Sequence, residues 1–375
     1  MLCNRCFKRP AKKIVNSLIE FNDLKSIIFL LLINPFIFFT GCKEQQSEKY
    51  SSLVIGEGQM PAIINDGSTD VHIVYGNGDS ILYAVSDNHG TSFSIPALVA
   101  ILPNLAASHT RGPQIAITEN GITIIACNEA GNIFSYTKDK SGKWQQGSRV
   151  NDVDTVAKEG LMALSGDKES LFAVWLDLRD GHNKIVGAKS TNGGKNWSKN
   201  IVIYTSPDTT VCECCKPSVA VKGNNVYVMF RNWLNGNRDM YLIESTDAGN
   251  SFGEAKKLGG GSWALNGCPM DGGGLAINKK DVLQTVWRRK TKLYACEPGK
   301  EEIEIGEGRS CTMESVNGKN VYAWTEKGEI FIRKPQGMKR NLGKGQLPLI
   351  KAINNEHIIC VWENEKQIHT AVVEL

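Results

Sequence analysis

The chain lacks a charge surplus where one would matter. Its 375 residues hold 43 Lys or Arg against 39 Asp or Glu, a formal net charge of +4. Residues 1–41 carry six basic and two acidic side chains, which leaves 37 of each sign in the remainder. A nucleic-acid binder needs a basic excess to displace counterions, so no nucleic-acid partner is expected. Long apolar runs are also missing: the longest, from Ser26 to Phe39, falls short of the roughly 20 residues that cross a bilayer. The six histidines are scattered, with no His-Glu-x-x-His spacing to hold a catalytic zinc. No glycine-rich phosphate loop follows a strand and opens a helix, so no nucleotide cofactor is expected. Beyond residue 50 no stretch sustains a helical period, which excludes the helical classes.

What is present begins with the apolar run itself. It follows a basic segment, is broken by Pro35, and ends in Thr40-Gly41-Cys42. Short length, basic flank and small residues at the end are the features of an export signal. The ending resembles a bacterial lipobox, which implies that residues 1–41 are removed and that Cys42 is acylated. Residues 42–50, polar throughout apart from Cys42 and Tyr50, then serve as a flexible tether. The expected location is the cell envelope, with the protein lipid-anchored to a membrane on its extracytoplasmic side. Of 11 cysteines, Cys3 and Cys6 leave with the signal and Cys42 takes the lipid. The other eight lie in a compartment that permits disulfides, whose connectivity sequence does not give.

From residue 51 to 375 short β-branched and aromatic runs alternate with Gly, Asn and Asp turns, an all-β pattern. One unit recurs. An inner run such as Pro61-Ala62-Ile63-Ile64 or Pro217-Ser218-Val219-Ala220 is followed by a second such as Phe172-Ala173-Val174-Trp175 or Val321-Tyr322-Ala323-Trp324. A third follows a polar turn, as in Asp239-Met240-Tyr241-Leu242-Ile243. Repeats of this size, each a small antiparallel sheet, predict a β-propeller. Seven four-stranded blades are preferred, six being the alternative. The last unit stops after three strands, and Ser51–Ile55 is expected to supply its fourth and close the ring.

Three turns share a pattern: Ser86-Asp87-Asn88-His89-Gly90-Thr91-Ser92-Phe93, Ser190 to Trp197 and Ser245 to Phe252, with a degenerate copy from Thr137 to Trp144. They resemble the Asp-box, or bacterial neuraminidase repeat, of the sialidase-like propellers. The physics of such a turn is structural: the Asp or Asn (Asn88, Asn192, Asp247) accepts backbone amides, the Gly (Gly90, Gly194, Gly249) takes a positive φ, and the aromatic residue (Phe93, Trp197, Phe252) packs between sheets. Ser86, Ser190 and Ser245 open the three turns. The resemblance implies that these turns join third and fourth strands, away from the ligand face. A sialidase of this family also uses an arginine triad, a Tyr nucleophile with a Glu partner, and an Asp acid/base. The region that carries the first Arg reads Gln59-Met60-Pro61 here, and Tyr241, Tyr294 and Tyr322 lie within strands. Exo-sialidase-like hydrolysis is therefore secondary to binding.

On the other face, loops that enter the inner strands and loops between second and third strands bring Arg beside Asp repeatedly. Arg111, Asp177, Arg179, Arg231, Arg238, Asp271 and Arg288 are the ligand-binding candidates, with Arg111 and Arg231 expected to point into the central funnel. Guanidinium pairs bidentately with carboxylate, which suits a glycan or another anionic ligand. Cys212, Cys214 and Cys215 lie on one entering loop and Cys268 on the next, as a disulfide between loops, a soft-metal site or a redox centre. Cys127 and Cys360 occupy matching second strands, as small buried residues. Alternatives to a ligand-binding lipoprotein are a non-catalytic assembly propeller and a metal or thiol protein built on the Cys212–Cys215 cluster.

Overall fold

The computed structural model describes residues 51–139 and 141–375; the expected signal, Cys42 and the expected tether lie outside them. The described chain forms seven four-stranded antiparallel sheets, each in sequential strand order except the last. The blades begin at the inner strands Gln59–Asn65, Gln114–Thr118, Met162–Asp167, Ser218–Lys222, Gly273–Ile277, Arg309–Val316 and Gln346–Ala352, numbered here blades 1 to 7. Blade 7 takes its outer strand from Leu53–Glu57, which pairs Leu53 with Thr370 and Glu57 with Gln367. The ring is thus closed by the N-terminal strand as the sequence predicts, and blade 7 has its full four strands.

The alternation of the second strands explains the packing. In six blades one large aromatic occupies a corresponding place and is buried: Tyr75, Trp175, Phe230, Trp287, Trp324 and Trp362. Each fills the space between adjacent sheets, and removing one such side chain typically costs about 3–5 kcal/mol.

Crossings between blades come in two kinds. Blades 5 to 6, 6 to 7, and 7 to 1 are joined through Gly308, Gly345 and Gly58 alone. A Cβ at these glycines would sit 2.5, 2.2 and 2.3 Å from Trp324, Trp362 and Tyr75 respectively. Only glycine lets the backbone pass so close to the buried aromatic. The crossings into blades 2, 3, 4 and 5 are long loops, 102–113, 150–161, 205–217 and 258–272. The mouth of the central channel is therefore lopsided, with all its long loops on blades 2 to 5.

Candidate functional site at the channel mouth

Antiparallel order sends the long crossings and the second-to-third turns to one end of each blade. The box turns go to the other end, between third and fourth strands. Their geometry repeats. The hydroxyls of Ser86, Ser190 and Ser245 donate to Asn88, Asn192 and Asp247 at 2.9, 3.0 and 2.7 Å. The same hydroxyls accept the amides of Gly90, Gly194 and Gly249 at 2.8, 2.9 and 2.9 Å. Each glycine has φ between 76° and 78° and abuts the preceding blade, at Ile359, Thr123 and Phe172. Phe252 packs on Phe172 with ring centroids 5.8 Å apart, Phe93 packs between blades 7 and 1, and Trp197 packs between blades 2 and 3. In the degenerate copy Asp139 still accepts the amide of Lys143 at 3.0 Å.

At the opposite end a cavity of about 240 Å³ lies on the propeller axis, lined by inner strands of all seven blades. Left-handed residues ring it: Met60, Thr110, Ser310 and Leu347 have φ of 55°, 70°, 54° and 56°, and Met270, just before Asp271, has φ of 47°. For a β-branched residue such as Thr110 this is an outlier, and strain of this kind gathers at binding sites. The Lys216 ammonium donates to Gln114 Oε1 at 2.8 Å, and burial pushes its pKa down to about 8. Asp271 is the one carboxylate among the described residues of the lining. It is 2% exposed, pairs with Arg288 at 3.2 Å, and accepts the Ser310 amide at 3.1 Å. Burial raises its pKa above the ordinary carboxylate value, against the pull of Arg231 and Arg288.

None of the five arginines singled out from sequence is among the residues that line this cavity, whereas Asp271 is. Arg231 is 1% exposed, and its three guanidinium nitrogens donate to the carbonyls of Asp271, Arg238 and Arg288 at 3.1, 2.8 and 2.9 Å. It braces the two loops beneath the mouth instead of pointing into the funnel. Asp177 is buried and closes on itself: it accepts Trp175 Nε1 at 2.8 Å and the Arg179 side chain at 2.8 and 3.0 Å. Arg111 sits on the rim, bonded to the Glu159 carbonyl and 3.4 Å from its carboxylate. Arg238 turns to Cys212 and Glu213, at 3.1 and 3.2 Å, with Trp233 stacked 4.0 Å away. Arg288 holds Asp271 and lies 5.3 Å from the ring of Trp263.

Cys214 and Cys268 form a disulfide between the two loops. Cys212 and Cys215 are free and buried, their sulfurs 3.1 Å apart. Two free sulfurs fall short of the four N or S ligands that a structural zinc takes; with the disulfide reduced, Cys212, Cys214 and Cys215 would bring three sulfurs within 4.8 Å of one another. Cys127 and Cys360 are free and buried in their second strands. Sequence reasoning missed Trp263, which shields both Arg231 and Arg288, and Gln114, the partner of Lys216. Trp263 sits in an irregular loop where no period marks it, and Gln114 meets Lys216 across the channel.

No protein-family model and no curated protein matches the sequence. Among solved structures the chain is similar to the GH93 α-L-arabinofuranosidase of Fusarium graminearum in complex with arabinobiose, with a TM-score of 0.51 and 14% identity over 87% of this chain and 98% of that one. It is also similar to a catalytically inactive virginiamycin B lyase from Staphylococcus aureus with quinupristin, with a TM-score of 0.53 and 12% identity over 87% and 99% of the two chains. A mutant NanB sialidase from Streptococcus pneumoniae aligns more loosely, with a TM-score of 0.44 and 13% identity over 88% of this chain and 69% of that one. At these identities the likeness to the first two is one of fold, and the chain is a seven-bladed β-propeller.

Proposed function

We propose that this protein is an extracytoplasmic, lipid-anchored propeller that binds a small anionic ligand, an acidic sugar or the acidic end of a glycan, at the mouth of its central channel. One observation carries the reading: a half-buried lysine, Lys216, held by the neutral Gln114 in an axial cavity of about 240 Å³. A cation in the lining of a cavity without a carboxylate partner gains most from an anion that brings one. The arabinobiose in the GH93 neighbour is consistent with a sugar in such a channel. Anchoring through Cys42 rests on the residues from Ser26 to Cys42.

Binding is favoured over hydrolysis. Glycosidases use two carboxylates, or a Tyr nucleophile in the sialidases. Among the described residues that line the cavity there is one carboxylate and no tyrosine. That carboxylate, Asp271, is already held by Arg288 and the Ser310 amide. A second reading, an assembly propeller, draws on the exposed apolar side chains Leu53, Val54, Ile95, Leu98 and Ile101 on and beside the outer strands of blades 7 and 1.

Calorimetric titration of the full chain with glucuronate, N-acetylneuraminate and their neutral counterparts tests the proposal. Acidic sugars are expected to bind, and Lys216→Gln to weaken them with little effect on any neutral sugar. Equal binding of charged and neutral sugars, or unchanged affinity in the variant, would refute it.

A further inference from the structure

Four sulfurs meet beside the mouth, and the channel ligand makes no use of them. The Cys214–Cys268 disulfide ties loop 205–217 to loop 258–272. Cys268 is exposed and Cys214 half-buried, whereas Cys212 and Cys215 are buried behind them. Cys212 Sγ lies 3.7 Å from Cys214 Sγ and 3.1 Å from Cys215 Sγ. A thiol is thus within van der Waals contact of a disulfide sulfur, and a second thiol stands behind the first. Cys212 and Cys215 also have the Cys-x-x-Cys spacing, whose members readily form a disulfide and have depressed pKa values.

The surroundings favour one sulfur as nucleophile. Arg238 Nη1 donates to Cys212 Sγ at 3.1 Å. The hydrogen bond with Cys215, then the fields of Arg231 and Arg238, lower the pKa of Cys212 despite its burial. Burial raises that of Cys215. The charged groups that face this pair are Arg231, Arg238 and Glu213, the last 3.2 Å from Arg238. The thiolate is the attacking species in disulfide exchange, and the asymmetry puts it on Cys212.

We propose that Cys212, Cys214, Cys215 and Cys268 form a thiol–disulfide exchange relay that moves one disulfide between the exposed Cys214–Cys268 position and the buried Cys212–Cys215 position. In the first step the Cys212 thiolate attacks Cys214 Sγ; the Cys212–Cys214 bond forms, the Cys214–Cys268 bond breaks, and Cys268 leaves as the thiolate. In the second step the Cys215 proton passes to the Cys268 thiolate. Cys215 then attacks Cys212 Sγ, and Cys214 leaves as the thiolate. One disulfide, two thiol-level sulfurs and one negative charge stand on each side, so no oxidant or reductant is consumed. The product presents a surface dithiol, Cys214 and Cys268, able to exchange with an external thiol or disulfide. It also unties the loop that carries Asp271 from the loop that carries Lys216.

Labelling of Cys268 reads the relay directly. Full-length protein purified without reductant is incubated between pH 6 and 9 and treated with N-ethylmaleimide. The modified cysteines and the remaining disulfides are then mapped by mass spectrometry. Cys268 is expected to become labelled in the wild type with no reductant present, while a Cys212–Cys215 disulfide accumulates. Cys212→Ser should label Cys268 at least tenfold more slowly. Arg238→Met, which leaves all four sulfurs in place, should slow the wild-type reaction at pH 7 and recover toward pH 9, as the Cys212 thiol ionises without its arginine. Cys268 unlabelled in the wild type, or labelled as fast in Cys212→Ser as in the wild type, would overturn the relay. So would a stoichiometric metal bound to the four cysteines.

Discussion

Two aspartates at opposite ends of neighbouring blades show how differently one side chain is used. Asp247, in the box turn of blade 4, is open to water and ringed by donors. The Ser251 hydroxyl, the Ser251 amide and the Ser245 hydroxyl hold its pKa well below the ordinary carboxylate value. Asp271, on the crossing into blade 5, is cut off from water, and burial lifts its pKa in spite of two arginines. The first carboxylate is charged because charge suits it, and it fastens a turn. The second is held against its preference, among left-handed residues and in the same cavity lining as Lys216. An arrangement that costs stability is expected where a ligand repays it; the box end needs no ligand to account for it.

The contrast can be broken in several ways. The largest effect should come from the ring on which both ends depend. Deletion of residues 53–57 removes the outer strand of blade 7 and is expected to lower the melting temperature by about 10 °C or more, at the roughly 2–4 °C per kcal/mol of larger domains. A truncated protein that melts with the full-length one would show that this strand does not close the ring. Next in size is Lys216→Gln. Loss of a charge-assisted bond, about 1.5–3 kcal/mol, should weaken an acidic ligand roughly tenfold to a hundredfold, with unfolding in urea little changed.

Ser245→Ala takes away a buried hydroxyl that serves both Asp247 and Gly249. About 1–2 kcal/mol of stability should go, and ligand affinity should stay. If affinity fell instead, the two ends would not be separable. The smallest effect is in acid. A lowered pKa means that Asp247 contributes stability above its unfolded value, near 4, and that this is lost as pH falls through the folded value. Asp271 has the opposite sign: its contribution is present below the unfolded value and is lost as pH rises through the raised folded one. Urea titrations between pH 2 and 6 should therefore show Asp247→Asn flattening a rising slope and Asp271→Asn flattening a falling one; the same change of slope in both would contradict the assignment.

The propeller was legible because its signals are local and repeated. The second strands ending in Trp175, Trp287, Trp324 and Trp362, and the box turns at Ser86, Ser190 and Ser245, each announce themselves within a few residues. The channel mouth was less so. Arg231 ends a second strand in a place that suggests a ligand contact, yet its register opposite Met240 directs it to carbonyls on its own and the neighbouring blade. Nothing near it in sequence announces Trp263. Lys216 meets Gln114 across the channel from another blade, and no spacing rule joins residues so far apart. The proximity of Cys268 to the Cys212 cluster was legible, because both stand at the start of consecutive units, whereas which sulfurs bond was not.

The central claim, that Lys216 is the cation an acidic ligand meets, is tested most directly by the pH dependence of wild-type binding. With its pKa at about 8, the free protein holds a charged Lys216 below that value and a neutral one above it. Titration calorimetry with N-acetylneuraminate or glucuronate from pH 6 to 10 should give an affinity that is level up to about pH 8. Above that it should fall by about tenfold per pH unit, as each binding event must first recover a proton. An affinity that stays level through pH 10 would contradict the account.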